Sequence, residues 1–455
     1  MSINYVQDMT EGNEIGHLIK FSLPMLIGNV FQQFYNLINS IIVGRYLGAN
    51  ALAAVGATGS LAFLSFSVCF GLSIGISIVI AQYFGARKEE DVKRAIANAA
   101  YIIVVSGIIM SILTSTFARP ILRLLNTPPE ILNDSTAFLR IISGGMLAVA
   151  AYNAIAAILR ALGDSRTPLF FLILSCAVNV VLDLLFILKL GFGVAGAASA
   201  TVISQGLAAL GCVGFALLSN PYFKIKREHM KPNWPIIVRC IKVGIPVALQ
   251  NSMIAISMVA LQRVVNGFGE VAVAAYTATS RIEQLVNQPF SSLGAAMSTF
   301  SGQNMGAGKL DRVKKGYHKS IIIVAVLSLL ALLAAQFGGR AIMGIFVKED
   351  SVIALGAAAI KITSCAYFGL GMIYITRGLL NGTGDAFYSM INGIVEVAGR
   401  VGFSSTLAML PAVGVWSVWA TTGLTWAVTA VASVIRYKQG KWKSKSLVKP
   451  EELSA

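Results

Sequence analysis

Twelve long apolar runs constrain this chain more than any other feature of its sequence. A helix of roughly 20 apolar residues crosses the hydrocarbon core of a bilayer. No water there bonds exposed N–H and C=O groups, so each run must close its own backbone hydrogen bonds and is predicted helical. The runs fall at 17–43, 52–80, 95–117, 132–159, 168–188, 194–218, 237–265, 272–300, 317–337, 352–376, 386–410 and 414–436. The expected fold class is therefore an all-α polytopic membrane protein with twelve transmembrane helices.

Composition agrees where it bears on that reading. Hydrophobic residues make up 56% of the chain and charged ones only 12%, about half the charged share of a soluble domain. The net charge of +16 sits between the apolar runs, where anionic lipid and the positive-inside rule explain it better than nucleic acid does. Alternate connections carry Arg87, Lys88, Lys93 and Arg94, then Lys224, Lys226, Arg227 and Lys231, then Lys309, Arg312, Lys314 and Lys315. The opposite connections hold few cations, so both termini are expected on the cytoplasmic side of the cell membrane, plasma or inner. Five cysteines without paired spacing read as small buried hydrophobes, not as disulfides or metal thiolates.

The chain also repeats. Gln82-Tyr83-Phe84-Gly85-Ala86 returns as Gln303-Asn304-Met305-Gly306-Ala307, and 303 − 82 = 221. The same offset links Gly48 to Gly269, Gly163-Asp164 to Gly384-Asp385, Gly193-Val194 to Gly414-Val415, and Arg140 to Lys361. A six-helix bundle over 1–219, a connector over 220–236, a second six-helix bundle over 237–440 and a basic cytoplasmic tail over 441–455 follow. Two halves of even span number share one orientation, the parallel-repeat plan of alternating-access transporters. No nucleotide-binding P-loop is present in the sequence, so the chain is read as a secondary transporter and not as an enzyme.

The span at 168–188 carries an acid. Asp183 lies within the apolar run 168–188 with Asn179 four residues before it, so both side chains project from one helix face. An acid deep in a membrane costs about 2.5–3.5 kcal/mol on insertion scales and marks a functional site by default. Counting residues from the span ends at about 1.5 Å each brings Thr201, Asn39 and Asn36 to a similar depth. Oxygen atoms converging on one carboxylate can hold a sodium ion or a proton; burial favours the protonated acid and a cation the ionised one, so the two compete. A sodium ion on Asp183, Asn179 and Thr201 is one expectation. In the second half Glu396 and Arg400 stand i,i+4 near mid-membrane, where they could brace the bundle as an ion pair. Glu283, followed by Gln284, could face a substrate cavity or pack against Arg281 or another neighbour, and Met253 could supply an adaptable wall.

Several stretches together resemble the multidrug and toxic compound extrusion (MATE) family. They are Phe21 to Met25, Gly44 to Gly48, Gln82 to Arg87, Leu159 to Pro168 and Gly302 to Gly308. The resemblance covers nearly the whole chain and is similar to the bacterial branch. It implies a V-shaped pair of pseudo-symmetric six-helix bundles with a central cavity. It also implies antiport of amphipathic, mostly cationic small molecules against protons or sodium ions, with no covalently bound cofactor. Asn179 and Asp183 match the family's span-five motif, Thr201 its span-six hydroxyl, and Tyr35 and Asn36 the start of its span-one motif. Asn39 replaces the acid that closes that motif. One-proton coupling at Asp183, a sodium site of weaker affinity, or an altered substrate class would each be consistent with that replacement. The competing expectation is a lipid-linked sugar flippase of the same wider superfamily. A lipid-embedded monomer is expected, with small molecules as its partners and no nucleic acid.

Overall fold

In the computed structural model the described residues are 6–448, and among them every regular element is helical. Residues 449–455 of the predicted tail lie outside that range. The helices are α1 (Glu14–Leu47), α2 (Ala49–Gly85), α3 (Glu89–Leu124), α4 (Pro129–Gly144), α5 (Met146–Ala161), α6 (Arg166–Leu184) and α7 (Gly193–Ser219). They continue as α8 (Trp234–Asn266), α9 (Glu270–Gly306), α10 (Leu310–Phe346), α11 (Asp350–Ser364), α12 (Tyr367–Thr383), α13 (Ala386–Ala408) and α14 (Ser417–Gln439). Each predicted run coincides with one helix or one bent pair. The runs at 132–159 and 352–376 are the bent ones, with α4 and α5 meeting at 48° and α11 and α12 at 51°.

Among the described residues seven helices are long and apolar enough to cross a membrane, and nine spans qualify if each bent pair counts as one. The helices left outside that set, α1, α9 and α13, hold amides and charges in otherwise apolar sequence: Asn29, Gln32, Gln33, Asn36 and Asn39; Arg281, Glu283, Gln284 and Asn287; Glu396 and Arg400. A polar group in lipid is expensive, so these helices are where function is to be sought.

The repeat is written into the backbone. Gly48 and Gly269 have φ of 88° and 86°, Gly163 and Gly384 of 87° and 95°, Gly193 and Gly414 of 57° and 52°. These left-handed turns, open to glycine without a Cβ clash, recur at the 221-residue offset. So do the helix bounds: α2 shifted by 221 is α9 at both ends (49 + 221 = 270; 85 + 221 = 306).

The chain divides into two compact units, one of residues 6–8 and 23–249, the other of 9–22 and 250–448. In the first, α2 packs against α3, α4 and α5, while α7 pairs with α6 and also meets α5 and α4. In the second, α9 packs against α10, α11 and α12, and α14 pairs with α13 and meets α12. Small residues permit the closest approaches, as expected where lipid supplies no hydrophobic drive between helices. A Cβ added at Gly378 on α12 would lie 2.2 Å from the Gly294 carbonyl oxygen on α9. Within the first unit the connector is fastened down: Asn98 of α3 accepts the Asn233 N–H at 2.8 Å, and buried His229 meets Glu90 at 2.6 Å. Of the cysteines, Cys69, Cys212 and Cys240 are buried, whereas Cys365 is exposed at the bend between α11 and α12.

Candidate ion site in the first unit and a polar chamber in the second

The ion-site candidates come from α1, α6 and α7. Four residues on a helix return a side chain to nearly the same face, which aligns Tyr35 with Asn39 and Asn179 with Asp183. At the end of α6, one residue past Asp183, the helix widens into a π-helical turn, Leu185–Lys189. Such turns are uncommon and cluster at functional positions. The carboxyl group is fully buried, at 0% exposure, and Asn179 at 1%. Ile187 on that turn and Val194 and Ala197 on α7 belong to one apolar cluster with Ile42, Val43 and Ala51.

The polar contacts have a direction. Thr201 donates its hydroxyl proton to the Ala197 carbonyl at 3.0 Å. Its oxygen then accepts, from Asn179 Nδ2 at 3.4 Å and from the Tyr35 hydroxyl at 3.4 Å. Asn179 therefore spends its amide nitrogen on Thr201. What remains is acceptors: both Asp183 carboxylate oxygens, Asn179 Oδ1 and Asn39 Oδ1 are buried and take no hydrogen bond from the protein. Tyr35 lies within electrostatic reach of Asp183. The structure thus brings Tyr35, Asn179 and Thr201 into contact, with Asp183 and Asn39 beside them. Asn36 is exposed, because one residue past Tyr35 turns a helical side chain by about 100° from that face.

The second unit contains a chamber of about 120 Å³ lined by side chains of α8, α9, α12, α13 and α14. Glu283, Gln284, Glu396 and Arg400 all face it, while Met258, five residues beyond Met253, supplies the methionine of its wall. Met253 is not among the lining residues, and neither is Arg281. Glu396 bonds two arginines: Arg377 at 2.6 Å and, through its other oxygen, Arg400 at 3.5 Å. Arg377 also donates to Asn392 Oδ1 at 2.6 Å. The apolar run 352–376 stops one residue short of Arg377, so this buried guanidinium lies just beyond the predicted span. An arginine between Thr376 and Gly378, inside Tyr367 to Leu380, was the available signal.

The MatE family model matches residues 24–185 and 246–401, more than half of the sequence. The chain belongs to the MatE family. MatE relatives include a probable multidrug resistance protein, YpnP of Bacillus subtilis, 28% identical over 97% of this chain and 98% of its own length. Another is the probable multidrug resistance protein NorM of Thermotoga maritima, 23% identical over 96% and 95%. Staphylococcus aureus MepA, named a multidrug export protein, is 23% identical over 84% of each chain. Among solved structures, a MATE in the straight conformation superposes with a TM-score of 0.90 at 24% identity, over 97% of this chain and 100% of that one. An outward-facing multidrug resistance MATE family transporter gives 0.90 at 24% over 98% and 100%. The MatE fold is thereby established over nearly the whole chain, and the protein is a multi-pass membrane protein of a transporter family.

Proposed function

We propose that this MatE protein is a cation-coupled antiporter of the cell membrane, exporting amphipathic small molecules that bear a positive charge in exchange for protons or sodium ions. Asp183 is its coupling acid, supported by Asn179, Thr201, Tyr35 and Asn39. The observation that carries this reading is the set of buried acceptor oxygens around Asp183 with no donor turned toward them. Acceptors alone cannot satisfy one another, and a buried carboxylate without a partner is costly. A proton or a small cation relieves that cost, and its departure restores it. Coupling needs that kind of differential free energy between two states.

The names of the multidrug resistance and export relatives support the cargo class. The binding of an ion at Asp183 and the release of cargo are then two ends of one conformational cycle, with both termini in the cytoplasm. Purified protein in proteoliposomes, loaded with a fluorescent organic cation and given sodium and pH gradients separately, tests the proposal. One gradient is expected to drive export and Asp183→Asn to abolish it while the protein remains folded. Undiminished export by Asp183→Asn would remove the acid from the mechanism.

A further inference from the structure

The chamber of the second unit holds two formal positive and two formal negative charges, but they are unevenly matched. Arg377 is satisfied on both sides, by Asn392 and by Glu396 at 2.6 Å each. Arg400, only 5% exposed, has the longer 3.5 Å contact with Glu396, and its Nε–H has no partner in the protein. Across the same chamber Glu283 Oε1 is buried and takes no hydrogen bond. Arg400 and Glu283 thus line one chamber, and each keeps one buried polar atom, Nε–H on the first and Oε1 on the second, without a partner in the protein. Leaving such groups unpaired is costly, and a brace made only for stability has no use for the gap between them.

Size narrows what fits. About 120 Å³ is well below the roughly 300–1,000 Å³ of a pocket for a whole drug-sized molecule. An ammonium and a carboxylate on one carbon make a head group of suitable size. Trp426, Tyr276, Ile254 and Met258 offer apolar wall beside it.

We infer that this chamber binds the zwitterionic head of an amphipathic cargo, its carboxylate on Arg400 and its ammonium on Glu283. This rests on the export function proposed above and narrows its substrate from any cation to molecules carrying both charges. The internal repeat supports a separate task for this half. Arg400 occupies the position of Asn179 (400 − 221 = 179), Ser404 that of Asp183, and Glu283 that of Ala62. The second half has thus exchanged the acceptor cluster for a fixed cation and placed a new acid opposite it.

Three dansyl probes that differ only in their polar end test the inference: dansylcadaverine (ammonium), 6-dansylaminohexanoate (carboxylate) and Nε-dansyl-lysine (both). Equilibrium binding to the full-length protein in detergent needs no ion gradient, and the ranking of the three probes at one fixed pH and sodium concentration does not depend on whether coupling at Asp183 is right. Wild type is expected to bind Nε-dansyl-lysine about tenfold more tightly than either single-charge probe. Arg400→Gln should erase the preference over dansylcadaverine, Arg400→Lys should keep part of it, and Glu283→Gln should erase the preference over the hexanoate. Equal affinities in wild type, no binding, or a parallel loss of all three probes in the variants would overturn the inference. If Arg400→Gln does not fold, wild-type discrimination and Glu283→Gln decide it.

Discussion

At the scale of single residues, the missing acid at position 39 is the most telling departure. Tyr35 and Asn39 share a face of α1, and Asn39 Oδ1 is one of the acceptors left without a donor. Asn39→Asp keeps the shape and adds a charge beside Asp183. Two carboxylates so close raise each other's demand for a cation or a proton, so the substitution should tighten coupling-ion binding by about tenfold. Isothermal titration with sodium at fixed pH, and with protons in sodium-free buffer, will show which ion responds. Thr201→Val removes the oxygen that accepts from both Tyr35 and Asn179. Stranding those donors should cost about 1–3 kcal/mol, seen as a lower thermal midpoint, together with weakened ion binding.

At the scale of elements, close helix packing makes its own demands. Gly378 faces the Gly294 carbonyl so closely that any side chain pushes backbone against backbone. Gly378→Leu should destabilise the α9–α12 contact by about 3 kcal/mol, the upper end for overpacking, measured by thermal melting in detergent. The connector offers a test in acid. Hydrogen bonds from Lys93 and His229 hold the Glu90 carboxyl down to about 2. A carboxyl with a lowered native pKa stabilises the fold above its unfolded value near 4.5 and loses that contribution as pH falls toward 2. Glu90→Gln should therefore lower stability at neutral pH and flatten the dependence of unfolding on pH across that acid window. The spans and the repeat were legible because apolar length and glycine position are local signals. The bends were less so. Gly144-Gly145 gives a hint at the first, but Cys365-Ala366 at the second carries no breaker, and packing must supply the 51° turn. The π-helical turn after Asp183 left no mark in a run of Leu, Phe and Ile.

At the scale of the whole molecule, sequence pattern reached the family and the acid, because an ionisable group in an apolar run stands out against its surroundings. It could not tell which polar side chains pair with which. Asn179 and Asp183 share a helix face as the spacing demanded, yet Asn179 gives its amide to Thr201 and not to the acid. That choice depends on where α7 sits beside α6. Likewise Glu396 was read with its i,i+4 partner Arg400, while its shorter bond reaches Arg377 on another helix. The proposed cytoplasmic placement of both termini rests on the distribution of cations in the loops. A tag at the C-terminus should be protected from protease in sealed right-side-out cells and cleaved once the membrane is opened. Cleavage of intact cells would reverse the assigned orientation.

A single acid among the acceptors of the first unit also sets an energetic ceiling on the proposed exchange. One monovalent ion admitted for one cationic molecule expelled moves no net charge, so only the chemical gradient of that ion could work. A cargo whose own charges cancel is different. Exchanged one for one, it lets the membrane voltage act at about 2.3 kcal/mol per 100 mV, which is roughly a fiftyfold concentration ratio. For such a cargo, collapsing the voltage with a potassium ionophore at constant pH and sodium should slow export, a dependence that a purely cationic cargo would not share.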